Sequence, residues 1–518
     1  MEQITILPPG VSLGNFRKAI AEFRQIVGDD YVVVTPERIV PYTKIMTPGK
    51  DADHTPAGAI MPASVEEIQK IVAVCNKYKV PVWPVSTGRN FGYGGAAPAT
   101  PGQVVLDLKR MNRIIEIDPE LCTALLEPGV TYQQLVDYID EHNLPLWVDC
   151  PAIGPITGPV GNTLDRGVGY TPYGEHFMFS CGMEVVLANG EVLRTGMGSL
   201  PKSNTWQVFK WGYGPYLDGI FTQSNFGIVT KLGLWLMPKP PVYKPFMVRY
   251  SNEEDIVKII DALRPLRIAN IIPNALMMMH AMYEIPMYKR RSEVYPQEGP
   301  IPIDVVKKHA KELGLGIWNA YFALYGTEEQ VAANEKIIRA AIAPTGGEIL
   351  TEDEAKGNRL FHHHKELMCG QMNLEEFGVH MWRGAGGGSA WFAPVAQAKG
   401  HEAEKQLVLA KKVLDKHGLD YLAGFIIGWR DLHHIINVAF DRTDPADMRR
   451  GHECFSELID EFAAEGYGSY RTNIDFMDKV AATFGETPMK VNEAIKRALD
   501  PNGIIAPGKS GIHLRSPA

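Results

Sequence analysis

The chain has 518 residues, too many for one hydrophobic core and enough for two or three packed units. Its 52 Lys and Arg against 60 Asp and Glu leave a formal charge of −8, which offers no basic face to a phosphate backbone and argues against nucleic acid as a partner. Hydrophobic content is 45% with no apolar stretch of membrane-spanning length, and the one compositional skew is 50 Gly and 37 Pro, which points to tight turns and close backbone approaches.

The six cysteines form no C-x-x-C pair, so a zinc ribbon or redox motif lacks support and buried free thiols are expected. The start of the chain has neither the basic region nor the apolar stretch of a signal peptide, which predicts a soluble cytoplasmic protein. Ser64 and Glu67 form a capping-box pattern that opens a helix over 65–77, with Val65, Ile68, Ile71, Val72 and Cys75 on one face. A short apolar strand over 80–85 runs straight into a glycine-rich loop, 86–95. Strands follow at 104–109, 114–117 and 124–127, then a capped helix from 130 and a second glycine-rich stretch, 158–170. Residues 184–188 and 191–194, split by Asn189-Gly190, read as a hairpin with a primed turn. A last strand covers 228–237.

The Pro-rich run 237–245 reads as an interruption of regular structure and the best domain boundary. Beyond it lie amphipathic helices near 253–266, 303–313, 327–343, 396–417 and 444–465, separated by β-rich runs. The stretch 499–511 returns to the glycine-proline texture of the first half, so it is expected to fold back onto that half. The organisation is therefore α+β, with one domain over 1–240, a second over 241–498, and a returning tail over 499–518.

Phosphate-binding P-loops, H-E-x-x-H, G-x-S-x-G and a strand-borne G-x-G-x-x-G are all absent from the sequence. His362-His363-His364 lacks partners at metal spacing and is read as part of a polar helix face, so no metal is expected. The 86–95 loop has a direct physical use: consecutive backbone N–H groups freed by glycine can cradle a pyrophosphate. A plain surface turn is the competing reading, weakened by the second loop at 158–170 and the segment 222–227.

At these residues the chain resembles a known family. The loop 84–98, the run 160–176, Arg194 to Gly198, 222–227 and Ala506-Pro507-Gly508-Lys509-Ser510-Gly511 are similar to the flavoproteins that oxidise para-substituted phenols, the vanillyl-alcohol oxidase and p-cresol methylhydroxylase family. Residues 209–215 and 262–267 bring it nearest the p-cresol methylhydroxylase flavoprotein side. The resemblance implies the two-domain FAD-binding fold of the vanillyl-alcohol oxidase type, FAD as cofactor, and hydride abstraction from the benzylic carbon of a 4-alkylphenol followed by water addition to a p-quinone methide. It implies cofactor contacts at Ser86, Thr87, Gly88, Arg89, Asn90, Phe91 and Gly92, at Gly161, Asn162, Gly169, Tyr170, Gly174 and His176, at Gly227 and Ile228, and at Lys509 beside the flavin ring. It implies that Tyr93, Tyr470 and Arg471 bind the phenolate oxygen, and that His433 and Glu376 handle protons.

The sequence also departs from its relatives. His380 stands where the p-cresol enzyme has its flavin-linking tyrosine, and Ser389 stands where vanillyl-alcohol oxidase has its linking histidine. His380 is thus the candidate for a covalent link, with unlinked FAD as the alternative. Gly424 and Asn437 replace two acidic residues, which predicts a roomier, less anionic substrate pocket suited to longer para substituents. Ala152 supplies no carboxylate where the oxidases have one, which favours a cytochrome c subunit as electron acceptor over oxygen; an oxygen-using 4-alkylphenol oxidase is the alternative. A cytochrome partner would imply a periplasmic setting, and the family implies a homodimer. A sugar or hydroxy-acid flavoenzyme on the same fold would not need the Tyr93, Tyr470 and Arg471 cluster.

Overall fold

The computed structural model describes residues 4–152 and 154–515; Met1–Gln3 of the expected N-terminal segment and Ser516–Ala518 of the expected tail lie outside the described residues. The first glycine loop grows out of a small α/β layer. Four strands lie in the order Val32–Val33, Gly58–Ile60, Val104–Asp107, Val82–Val85, the last three mutually parallel. The helix Val65–Tyr78 feeds this sheet. Ser64 Oγ accepts the Glu67 N–H at 3.2 Å, while the Glu67 carboxylate accepts the Ala63 N–H, one residue earlier than a standard capping box. Ile68, Ile71, Val72 and Cys75 are buried against the sheet and the helix Leu13–Val27. Each such side chain contributes about 1.5–3 kcal/mol by leaving water.

A second, antiparallel sheet follows: Ile114–Asp118, Thr123–Leu126, Ile228–Trp235, Ser180–Val186, Val192–Arg194. Its Asn189-Gly190 hairpin differs from the sequence expectation. Only Gly190 has positive φ, 87°, and Leu187 and Glu191 bracket the loop. The connection is therefore a three-residue loop closed by a left-handed glycine rather than a two-residue primed turn.

The third sheet holds eight antiparallel strands. Seven run Glu348–Leu350, Val242–Tyr250, Trp318–Gly326, Leu276–His280, Leu422–Ile427, Asp431–Asp441, Gly387–Phe392, and Val395–Gln397 adds to Asp431–Asp441. The helices Ile256–Ile268, Glu328–Ile342, Gly400–Lys416 and Pro445–Ala464 pack on it, and the largest apolar cluster lies between them. Here the reading of 237–245 as irregular fails. Val242–Tyr250 is a strand containing Pro245, opposite Ala323. Ala323 sends its N–H to Asn274 Oδ1 at 3.1 Å, so this pair exchanges no ladder bond. On the other flank, Glu348–Leu350 reaches only residues 247–249. The proline thus sits where its missing N–H has no partner to lose.

Residues 504–506 add to the first sheet. Val82 N donates to Ile504 O at 2.8 Å, and Ala506 N donates to Val82 O at 2.7 Å. The buried Asn225 amide holds the same stretch through the carbonyls of Ala506 and Ile512, both at 3.0 Å.

Candidate active site

A cavity opens beside the first two sheets, with the first glycine loop as one wall and residues 471–477 and 505–509 closing it. Ser86, Thr87, Gly88, Arg89 and Asn90 line it, as do Gly161 and Asn162 from the second loop, Gly227, and Lys509 from the returning segment. Among the described residues, the backbone N–H groups of Thr87, Gly88, Arg89 and Asn90 have no acceptor within the protein. Four adjacent donors turned into a cavity form a concave anion site. The two loops are pressed together: a Cβ at Gly161 would lie 2.8 Å from the Ser86 Cβ, so any larger residue would push them apart. These residues fit a dinucleotide cofactor, with its pyrophosphate on the 87–90 donors.

Several residues expected to touch the cofactor do not line this loop cavity. Gly92 is forced by Trp391, whose ring would stand 2.1 Å from its Cβ, and Phe91 packs on Phe377 and His380 with ring centroids 4.9 and 4.1 Å away. Gly169 leaves room for the Asp149 carboxylate, and Gly174 for the Gly169 carbonyl. His176 is held by Asp149 Oδ1 at 2.7 Å and Asn162 Oδ1 at 2.5 Å, behind the cavity wall. Ile228 is buried in the strand core between Gly227 and Val229, which do line the cavity. Tyr170 also stands apart. Burial holds its phenol well above the ordinary value, and the neighbouring Glu376, Tyr283 and Tyr470 add to that, so it belongs to the wall across from the loop.

At the inner end of the cavity four polar residues form a chain. Lys509 Nζ pairs with Asp165 Oδ1 at 2.7 Å, and Asn90 Nδ2 donates to Asp165 Oδ2 at 3.2 Å. Arg471 Nη2 donates to Asn90 Oδ1 at 2.9 Å. The Arg471 guanidinium lies 3.9 Å from the Tyr93 ring centroid. Burial pushes the Asp165 carboxyl up, but Lys509 and Arg471 more than reverse this and hold it below its ordinary value. Tyr93 and Tyr470 are both raised by burial, with Arg471 opposing, so both keep their protons and can donate. The expected trio of Tyr93, Tyr470 and Arg471 is therefore together. Asp165, which the sequence reading left without a role, ties two of the cations to one place; its signal was a lone carboxylate inside a glycine-rich stretch.

The segment carrying Tyr470 and Arg471 is clamped from both sides. Val395 N donates to Gly468 O at 3.0 Å and Ile474 N donates to Tyr93 O at 3.2 Å. The Asp475 carboxylate accepts from Gly49 N at 3.2 Å and lies 2.8 Å from His54 Nε2.

Opposite stands a wall built by the eight-stranded sheet. Glu376 is buried, and burial drives its carboxyl up to about 7, with a hydrogen bond to Tyr283 opposing. His380 is buried, its Nδ1 bonded to Ser389 Oγ and its Nε2 without a partner among the described residues. Burial lowers that ring to about 3, leaving a neutral imidazole. His380 does not line the loop cavity; Trp391 joins it, at 5.1 Å, to Tyr93, at 6.0 Å.

The adjacent histidines divide by strand alternation. His434 is fully buried, bonded to the Tyr421 hydroxyl at 2.9 Å, while His433 stacks on Tyr470 with centroids 4.7 Å apart. Asn437 lies on the same strand face as His433; both its amide atoms are buried and without a partner among the described residues. Gly424 corrects an expectation. A Cβ there would lie 2.5 Å from Met279 Sδ, so Met279 fills the space that a missing side chain was expected to open.

The three histidines at 362–364 disperse. His362 pairs with Glu366, His363 with Asn373 and His364 with the buried Glu284. Among the described residues no cluster of three or more His, Cys, Asp or Glu could hold a metal ion, and no helix is long and apolar enough to cross a membrane.

Comparison with known proteins agrees with this architecture. The FAD binding domain family matches residues 56–196, and the FAD linked oxidases C-terminal domain family matches residues 316–510. The chain is 55% identical over 513 residues to the 4-cresol dehydrogenase [hydroxylating] flavoprotein subunit of Pseudomonas putida, covering 99% of this chain and 98% of that one. Its structure is similar to that of p-cresol methylhydroxylase with substrate bound, with a TM-score of 0.97 at 55% identity, covering 99% and 100% of the two chains. It is also similar to the 4-ethylphenol oxidase of Gulosibacter chungangensis in complex with isoeugenol, with a TM-score of 0.95 at 38% identity, covering 98% and 99%.

Proposed function

The chain belongs to the vanillyl-alcohol oxidase and p-cresol methylhydroxylase family of FAD flavoproteins, and from that membership we propose that it oxidises 4-alkylphenols at the benzylic carbon and adds water there. One observation carries the reading. Buried polar atoms without partners, Arg471 Nε, His433 Nδ1, His380 Nε2 and both amide atoms of Asn437, belong to the same walls that present two protonated phenols. Buried polar groups are normally satisfied, so a polar ligand is what completes this set.

The phenol oxygen sits among Tyr93 Oη, Tyr470 Oη and the Arg471 guanidinium. Two neutral donors and a permanent cation stabilise phenolate over phenol, and an ionised ring pushes electron density toward its para carbon. Bound FAD supplies the acceptor for the benzylic hydride. The Thr87–Asn90 donors hold its pyrophosphate, and Lys509, fixed by Asp165, adds a positive charge beside its ring. Glu376, whose raised carboxyl near 7 exchanges its proton around neutrality, and His433, whose Nδ1 has no partner among the described residues, handle the proton of the adding water.

His380 is the residue that would hold the flavin covalently. Its neutral ring and free Nε2 lone pair are what a nucleophilic imidazole requires. Acid precipitation tests this: a yellow pellet from the parent and a colourless one from His380→Ala are expected, and a yellow pellet from both would reject it. Anaerobic bleaching of the flavin spectrum by 4-methyl-, 4-propyl- and 4-allylphenol tests the substrate class; no bleaching by any of them would reject it.

The electron acceptor is a cytochrome c subunit, a reading supported by Ala152 at the place where the oxidases carry a carboxylate. The likeness to a 4-ethylphenol oxidase favours the second reading, reoxidation by oxygen. Adding air to the bleached protein, and separately oxidised cytochrome c, decides between them by which one restores the yellow colour. The chain is expected to act as a homodimer.

A further inference from the structure

On the strand Asp431–Asp441, Asp431 and His433 point from one face, two residues apart. His433 Nε2 lies 3.0 Å from Asp431 Oδ2, and its ring is stacked on Tyr470. Its Nδ1 is buried and without a partner among the described residues. The two side chains differ in access: His433 is 12% exposed and Asp431 is 39% exposed. Asp431 and His433, with Arg267, Glu175 and Trp429, line a cavity of about 20 Å³, room for one water molecule. Arg267 is fixed there by Ile427 O at 3.1 Å and Ile272 O at 2.6 Å. Burial pushes the Asp431 carboxyl up, but the His433 ring more than offsets this, so the group is an ionised acceptor.

We propose that Asp431 and His433 form the proton exit of the hydration step, with Asp431 as the positioning residue that fixes the His433 tautomer and stabilises its imidazolium. The proposal rests on the hydroxylating reading of the site. A carboxylate on Nε2 keeps the ring proton there and leaves the lone pair on Nδ1. In the step itself the water oxygen bonds to the benzylic carbon of the quinone methide. The displaced π electrons return to the ring oxygen, which becomes the phenolate held by Tyr93, Tyr470 and Arg471. One water proton passes to His433 Nδ1, the imidazolium is stabilised by the Asp431 carboxylate, and loss of one ring proton to solvent past Asp431 returns the ring to its Nε2–H tautomer. No electron is gained or lost in this step, and the sum is quinone methide plus water giving phenolate alcohol plus a proton.

4-Ethylphenol makes the step visible, because its quinone methide either adds water to give the secondary alcohol or loses a methyl proton to give 4-vinylphenol. With the holoenzyme, Asp431→Asn is expected to lower the alcohol-to-alkene ratio about tenfold, less than the roughly 10²- to 10⁴-fold that a positioned base itself contributes, as suits a residue acting through that base. Anaerobic bleaching by the same substrate precedes hydration and should stay within about twofold. Asp431→Glu should recover most of the ratio. His433→Asn, as reference, should lower the ratio at least as far as Asp431→Asn does. A ratio unmoved in Asp431→Asn but lowered in His433→Asn would overturn the role of Asp431 and leave the base intact. A ratio unmoved in both would overturn the reading of His433 itself. Bleaching slowed in Asp431→Asn as much as the ratio falls would show a merely structural role and likewise overturn the proposal.

Discussion

The two ends of the site are built on opposite terms. At the loop end, Lys509, Asp165, Asn90 and Arg471 are bound to one another, and among the described residues the donors left unclaimed there are the backbone N–H groups of residues 87–90 and Arg471 Nε. At the sheet end, His380, His433 and Asn437 each carry a buried polar atom with no partner among the described residues. The first end is preorganised, with its geometry fixed before any ligand arrives; the second is left polar and incomplete at the place where bonds change. The difference teaches where lesions should be felt. Damage at the anchor end should weaken binding of the substrate oxygen, and damage at the sheet end should change what happens to the substrate afterwards.

The most damaging test of that contrast is Arg471→Ala. It removes the cation proposed to face the phenolate, and losing one partner of a buried charge pair costs about 2–5 kcal/mol. A fall in kcat/KM of about 10²- to 10³-fold is expected, with FAD retained through the 87–90 loop and Lys509; equal loss of cofactor and substrate binding would break the distinction. Tyr470→Phe removes one donor to a charged oxygen, about 1.5–3 kcal/mol, so kcat/KM should drop roughly ten- to a hundredfold. Steady-state kinetics with 4-methylphenol reads both.

Glu376→Gln probes the sheet end through stability. In the folded chain burial raises this carboxyl to about 7 from an ordinary 4.5, so the native state holds the proton more tightly than the unfolded chain does. That contribution is complete below pH 4.5 and disappears as pH rises through about 7. Denaturant melts of parent and variant should therefore diverge with rising pH across this window, the parent losing up to roughly 3 kcal/mol relative to Glu376→Gln. The buried Glu284, raised to about 8, titrates in both proteins and cancels. The smallest effect belongs to neither end. Ser64→Ala strips the cap from Val65–Tyr78 and should lower stability by about 1 kcal/mol with kcat/KM unchanged.

Much of the anchor end was legible because its chemistry is backbone chemistry, and backbone freedom is written as glycine. Gly88 and Gly161 announced a loop pair before any fold was known. Asp165 was missed because nothing local distinguishes it; its meaning comes from Lys509, 344 positions later. Gly92, Gly169 and Gly174 show the limit of the same signal. Each makes room for a protein group, a tryptophan ring, a carboxylate or a carbonyl, and a glycine kept for a protein neighbour looks the same in sequence as one kept for a cofactor. Pro245 misled for a related reason. Proline forbids one hydrogen bond, and whether that bond is needed depends on the register of Val242–Tyr250 against Trp318–Gly326. Gly424 seemed to open space that Met279 occupies, because volume is a property of neighbours and not of one position.

The pairing of Val82 with Ile504 and Ala506 sets an order of events during synthesis. The cavity wall at residues 86–90 leaves the ribosome more than 400 residues before Lys509 does. The nascent first region can thus form its sheets while one side of the nucleotide pocket is still missing. Loading of the cofactor is then a late step, and a chain cut anywhere between the third sheet and Ala506 would carry its phosphate loop yet release what it bound.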